Sequence, residues 1–247
     1  MNRNLLLISN STNASEEYLA WPRSYIKDFL SKHGVTKTLF IPFAGVNLTH
    51  DGVEKSFDLY EERVRKIFKE LGFGLHSIHR ELDVVKAVND AESIVIGGGN
   101  TFYLTSMLQK FGLMEAIRAK ISRGIPYVGW SAGSNVACPT MMTTNDMPIC
   151  EPLSFNCLNV IPFQINPHYL DANPAGHAGE TREQRILEYL TVNRDAIVVG
   201  LREGDLLTVE GDTMTLTGKR PIRVFRFGKE AQEFQPGENL DFLLKTS

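Results

Sequence analysis

Five short apolar runs, at residues 5–8, 38–41, 74–78, 93–96 and 126–129, are separated by stretches long enough to hold a helix, and this alternation restricts the fold more than any other feature of the chain. Two parallel strands cannot be joined by a hairpin; they need a crossover of a dozen or more residues, usually helical. The pattern therefore implies an α/β chain with a mostly parallel sheet flanked by helices. The clearest crossover lies between the second and third runs. There Val53, Phe57, Tyr60, Val64, Ile67, Phe68 and Leu71 recur at steps of three and four, Glu, Lys and Arg fill the other face, and Gly72 marks the stop.

The character changes after residue 140. Pro139, Pro148, Pro152, Pro162, Pro167 and Pro174 break any long helix, so loops are expected as far as Gly179. One more helix begins at Thr181, where Thr181 and Gln184 form a capping box and Ile186, Leu187 and Leu190 supply an apolar face. From residue 196 the runs 197–199, 206–209, 214–216 and 222–225 are punctuated by Gly and Asp, which suggests an antiparallel meander or edge extension at the C-terminal end. No repeat, linker or low-complexity tract interrupts the 247 residues, and the expectation is one catalytic domain over residues 1–247.

Composition narrows the partners. With 43% hydrophobic and 22% charged residues the chain is ordinarily globular, and a formal charge of -3 with a pI near 6.1 supplies no basic field for nucleic acid and no polybasic membrane anchor. Small metabolites are the expected partners. The apolar run at residues 5–8 is too short for a signal peptide or a membrane span, so a cytoplasmic location is expected. Cys138, Cys150 and Cys157 form no C-x-x-C pair, which indicates reduced thiols rather than a disulfide framework or a zinc site.

Chemistry concentrates in three places. Gly129-Trp130-Ser131-Ala132-Gly133 closes one apolar run and precedes a small-residue segment. Gly-x-Ser-x-Gly reads either as a flexible loop or as a nucleophile elbow, and its strand-turn-helix setting favours the elbow, with Ser131 presented at a strand end and the Ala132 amide aimed at a developing oxyanion. Gly97-Gly98-Gly99 follows another apolar run, but Phe102 stands where a dinucleotide fingerprint requires glycine and no Walker Lys follows. Those glycines serve either as a tight turn or as a second oxyanion donor. Of the six histidines, His33 and His50 sit in polar turns and His76 and His79 at a strand end, whereas Pro167 holds the chain extended just before His168, as suits a rigidly presented base.

Taken in order, Asn10-Ser11-Thr12, Phe40-Ile41-Pro42-Phe43-Ala44-Gly45, Gly97-Gly98-Gly99-Asn100-Thr101-Phe102, Gly129-Trp130-Ser131-Ala132-Gly133, Thr143-Thr144-Asn145-Asp146-Met147-Pro148, Gln164-Ile165-Asn166-Pro167-His168 and Gly179-Glu180-Thr181-Arg182-Glu183-Gln184-Arg185 closely resemble the peptidase E family of α-aspartyl dipeptidases. The resemblance runs from about Leu5 to about Val209 and weakens after Gly211. It implies a class I glutamine amidotransferase-like fold with serine in place of the usual cysteine, and hydrolysis of dipeptides with an N-terminal aspartate without metal or cofactor. Transferred by motif, it makes Ser131 the nucleophile, His168 the general base, and Gly99 and Ala132 the oxyanion donors.

Two acids compete to orient His168: Glu203, which is favoured, and Asp146, which would otherwise pair with the substrate's free α-ammonium. Arg202 occupies the position before Glu203 where the family frequently has proline. Arg182 is the candidate cation for the aspartate side chain, with Arg185 as helper. Oligomeric state, monomer or homodimer, is left open. Competing readings are a hydrolase of aspartyl polymers or aspartyl amides, and a non-catalytic binder of acidic metabolites.

Overall fold

A computed structural model describes residues 2–173, 176 and 178–245. Among these, the order of elements is β1 (Asn4–Ile8), α1 (Arg23–Lys32), β2 (Lys37–Ile41), α2 (Val53–Leu71), β3 (Gly74–Ser77), α3 (Val84–Asp90), β4 (Ile94–Ile96), α4 (Thr101–Lys110), α5 (Leu113–Ser122), β5 (Tyr127–Trp130), α6 (Ala132–Asn135), β6 (Gln164–Pro167), α7 (Arg182–Val192), β7 (Ile197–Leu201), β8 (Leu206–Glu210), β9 (Thr213–Thr217), β10 (Ile222–Arg226) and β11 (Gln232–Phe234). The five runs expected as strands all form, and they lie parallel in the order β3-β2-β4-β5-β1.

Successive side chains of these strands point to opposite faces. Leu5, Leu7, Leu39, Ile41, Ile94 and Ile96 pack with α4 and α5 residues such as Leu104 and Ile117. Leu6, Ile8, Phe40, Val95 and Val128 pack on the other face with α1 and α2 residues such as Phe29 and Phe68. Because helices cover both faces, the strands read as unbroken apolar runs rather than as alternation. The α2 crossover spans the expected residues, and Gly72 ends it at φ +96°, a conformation that penalises any residue with a Cβ. At the start of α7 the capping box is present in full, with Thr181 and Gln184 each accepting from the other's backbone N–H.

The C-terminal runs part company with a single meander. β8 pairs antiparallel with β1 and β9 with β8, extending the main sheet, whereas β7, β10 and β11 build a second sheet in the order β11-β10-β7-β6. Its β10 strand is antiparallel to both β7 and β11, but β6 and β7 run parallel. The β6 strand lies inside the stretch expected to be loop; four residues ending in proline are too few for periodicity to reveal. Pro174 lies outside the described residues. No helix among the described residues is long and apolar enough to cross a membrane. The three cysteines are free, and burial pushes the Cys138 and Cys157 thiols up, away from reactivity.

The chain passes between the sheets at residues 202–205 and again at residues 218–221, and Asp205 pins both passages. Its backbone carbonyl accepts from Ser9 N–H at 3.1 Å, while its Oδ1 accepts from the Lys219 and Arg220 amides at 3.1 and 3.4 Å. Burial outweighs these donors and pushes the Asp205 carboxyl up to about 6. An ordinary aspartate titrates near 4, so between about pH 4 and pH 6 the folded chain holds a proton that the unfolded chain has released. This group's contribution to stability should therefore decline as pH rises through that window. Asp205→Asn should remove the decline, worth on the order of 2–3 kcal/mol at about 1.4 kcal/mol per pKa unit, and urea titrations of both proteins from pH 4 to pH 7.5 would measure it.

Candidate active site

The carboxyl ends of the parallel strands converge, as open α/β sheets require of a site. Ser131 leaves β5 with φ +53° and ψ −111°, a strained conformation for a residue with a side chain. The elbow is held from behind. Ser131 N–H donates to the Ile8 carbonyl at 3.0 Å, and Ser134 Oγ donates to the carbonyls of Ile8 and Gly129 at 2.8 and 2.9 Å. Glycine is required on both sides of the turn: a Cβ on Gly133 would lie 2.2 Å from the Ile96 carbonyl oxygen, and one on Gly129 would lie 2.5 Å from that of Gly133.

His168 follows β6 directly and also has positive φ, +53°. Its backbone N–H donates to Ser9 Oγ at 2.9 Å, and Ser9 Oγ donates to the Leu201 carbonyl at 2.8 Å. The ring spans two partners. Nε2 lies 2.9 Å from Ser131 Oγ and Nδ1 lies 2.7 Å from Glu203 Oε1, in the loop after β7. With the carboxylate accepting from Nδ1–H, Nε2 is left as an acceptor for the serine hydroxyl proton. The His168 and Glu203 side chains are 39% and 43% exposed, so an entering molecule can reach them.

Asp146 sits elsewhere. Its Oδ2 accepts from Thr101 N–H at 2.7 Å, Thr101 Oγ1 at 2.6 Å and Thr144 Oγ1 at 3.0 Å, which ties it to the first turn of α4 beside the glycine run. The hydrogen bonds thus join Ser131, His168 and Glu203 and leave Asp146 outside that chain. Arg202, standing in the family's proline position, is buried and takes no part in those hydrogen bonds. Its guanidinium bonds Asp171, Glu233 at 3.0 Å and the Pro221 carbonyl, which raises its pKa further and secures the loop that carries Glu203.

A cleft of about 480 Å³ opens over Ser131 and His168, with Gly98, Gly99 and Asn100 on one wall and Tyr18, Tyr60 and Trp130 on another. Gly99 has φ +134°, and a Cβ there would meet the Ala44 carbonyl oxygen at 2.1 Å. Neither the Gly99 nor the Ala132 amide donates to an acceptor among the described residues. Arg63 also lines the cleft, its guanidinium carbon 5.3 Å from the Tyr18 ring centre. Arg182 opens α7, half-buried, and is not part of this lining. Burial and then the neighbouring Arg185 push its pKa down, and no carboxylate pairs with it among the described residues, whereas Arg185 Nε lies 3.7 Å from Glu180.

Sequence reasoning missed Ser9, Tyr18, Tyr60 and Arg63. Ser9 had a signal, since it is the first polar residue after the β1 run. The other three had none, because Tyr60 reads as one more apolar position of α2 and Arg63 as part of its solvated face. Among the described residues no group of three or more His, Cys, Asp or Glu side chains is arranged to hold a metal ion.

The model of a family described as Peptidase family S51 matches residues 5–217 of this chain. A peptidase E of Nostoc sp. is 50% identical over 245 residues, covering 99% of this chain and 98% of that protein. A peptidase E of Shigella flexneri is 43% identical over 233 residues, covering 94% of this chain and 98% of its own length. Both the family match and the Nostoc match extend past Gly211, beyond which the resemblance was expected to weaken. The crystal structure of a peptidase from an acI-B1 Actinobacterium matches with a TM-score of 0.72 over 97% of both chains at 20% identity, which speaks for the fold.

The elbow generates its own test. Gly133→Ala forces a methyl into backbone rather than into a yielding side chain, so it should cost about 1–3 kcal/mol and displace Ser131, read as a lower thermal midpoint together with slower labelling of Ser131 by a small fluorophosphonate.

Proposed function

The chain belongs to peptidase family S51, and from that premise we propose that it is a serine exopeptidase that hydrolyses dipeptides with an N-terminal aspartate. The observation that carries the reading is the continuous hydrogen-bonded chain from Ser131 through His168 to Glu203, opening into a cleft large enough for a dipeptide. In the proposed reaction Ser131 Oγ attacks the peptide carbonyl while its proton passes to His168 Nε2. The carbonyl oxygen becomes an oxyanion facing the Gly99 and Ala132 amides. Collapse of the tetrahedral adduct breaks the C–N bond, and the leaving amine takes the proton from His168. Water then repeats the sequence on the acyl-enzyme, releasing aspartate and restoring the Ser131 hydroxyl.

Glu203 holds the His168 ring and stabilises the imidazolium formed during attack. Asp146, an anion at the edge of the glycine run, is assigned to the substrate's α-ammonium. Arg182, although outside the cleft lining, is assigned to the aspartate side chain on the family resemblance, and no carboxylate pairs with its guanidinium among the described residues. The proposal extends to a cytoplasmic setting, a small dipeptide as the substrate, and one catalytic domain.

Ser131→Ala should lower Asp-Leu turnover by roughly 10⁴-fold or more without loss of fold, and His168→Ala should not add to that loss, because the pair acts as a unit. Full activity in a folded Ser131→Ala protein would end the serine mechanism. The acids separate on two substrates. Glu203→Gln should slow both Asp-Leu hydrolysis and acylation by an activated ester lacking an amine, whereas Asp146→Asn should slow the dipeptide alone; the reverse pattern makes Asp146 the partner of His168.

Arg182→Ala should cost about 2–5 kcal/mol of transition-state binding for Asp-Leu, as expected when a buried charge pair loses one partner. Profiling Asp-Leu, Glu-Leu, Leu-Leu and N-acetyl-Asp-Leu measures the selectivity, and an unchanged profile would move the assignment to another cation, Arg63 or Arg185.

A further inference from the structure

Behind the glycine run lies a polar cluster in an otherwise apolar layer. Tyr60, 3% exposed, and Trp130, 1% exposed, meet Tyr18 at the back of the cleft. The Tyr60 hydroxyl lies 3.0 Å from the Gly98 carbonyl oxygen, 3.0 Å from the Tyr18 hydroxyl and 3.1 Å from Trp130 Nε1. The protons can be assigned by elimination. A carbonyl only accepts, so Tyr60 donates to Gly98; an indole N–H only donates, so Tyr60 accepts from Trp130; its remaining lone pair accepts from the Tyr18 hydroxyl. The Tyr60 oxygen is then fully used, with one bond given and two received.

The Gly98 carbonyl and the Gly99 N–H belong to one peptide group. In a planar trans peptide they point in opposite directions, so a bond that draws the carbonyl toward α2 turns the amide toward the cleft. Glycine on both sides of this peptide makes the opposite orientation cheap, since no Cβ opposes rotation about ψ of Gly98 or φ of Gly99. The backbone alone therefore does not decide which way the amide faces. Something outside it must.

We propose that Tyr60 is the positioning residue that holds the Gly98–Gly99 peptide with its N–H directed at the oxyanion formed over Ser131. Trp130, which shares the Tyr60 hydroxyl, is the residue immediately before Ser131, so the nucleophile and the oxyanion donor are referenced to one buried oxygen. The inference rests on the reading of Ser131 as the nucleophile.

Tyr60→Phe is the informative variant. It keeps the ring that packs on Phe40, Gly45 and Gly97 and deletes only the hydroxyl, and Trp130 Nε1 retains Tyr18 as an acceptor at 3.0 Å. Expected are a kcat for Asp-Leu lower by roughly 10- to 100-fold, a KM within about twofold, and an equal loss of affinity for aspartyl aldehyde, whose hemiacetal oxygen occupies the same place. Affinity for the product aspartate should hold. Tyr25→Phe, a hydroxyl deletion on the exposed face of α1 and outside the cleft lining, is the control and should retain the wild-type kcat. Phosphonylation of Ser131 by a fluorophosphonate should slow in Tyr60→Phe alone, and this readout survives even if Asp-Leu is not the substrate, so failure of the substrate reading and failure of the positioning role are told apart. Wild-type phosphonylation in Tyr60→Phe, or a kcat loss matched by an equal loss of aspartate binding, would overturn the proposal.

Discussion

One hydroxyl oxygen holds the site together. Ser9 directly follows β1, an interior strand of the main sheet, and its Oγ joins the Leu201 carbonyl at the end of β7 to the His168 amide just after β6. The nucleophile belongs to the main sheet and its base to the second one, so the serine–imidazole distance is a distance between two sheets. A shift of about 1 Å there would be enough to break the geometry that catalysis needs. Ser9 spans that boundary next to the strand end, where Ser131 itself donates to the Ile8 carbonyl.

The boundary is reinforced by charge, and burial sets the strength of each contact. Arg202 is satisfied by Asp171, Glu233 and the Pro221 carbonyl, and only removal of both carboxylates would leave a buried cation unpaired. Asp205 is its opposite, an acid that burial drives toward neutrality while its backbone and side chain fasten both chain passages. Between them lies Glu203, half-exposed and 2.7 Å from His168 Nδ1. The loop thus holds two structural groups and one group free to interact with the imidazole within four residues.

The two residues that meet in the site are also both strained. Ser131 and His168 both have positive φ without being glycine, at a cost of order 1–3 kcal/mol each. Hydrogen bonds from rigid strand ends hold both conformations. Gly99 and Gly133, by contrast, are where the backbone comes too close to another carbonyl for any side chain. The site therefore combines strained residues that carry chemistry with glycines that let the chain approach.

Local sequence determined the elements whose cause is local. Apolar periodicity drew α2, Gly72 ended it, Thr181 and Gln184 started α7, and unbroken apolar runs marked the strands of a sheet covered on both faces. The Gly-x-Ser-x-Gly spacing announced the elbow, because the glycines are demanded by contacts within a few residues of the serine and by the adjacent strand. Motif resemblance also brought Ser131, His168 and Glu203 into consideration together. Tertiary structure decided what depends on distant partners: that residues 197–226 divide between two sheets, that β6 is a strand, that Glu203 rather than Asp146 meets the His168 ring, that Arg63 enters the cleft, and that Tyr60, by its spacing a core residue of α2, turns its hydroxyl to a carbonyl 38 residues away. Spacing encodes periodicity, and a hydrogen bond between residues far apart in the chain leaves no period to read.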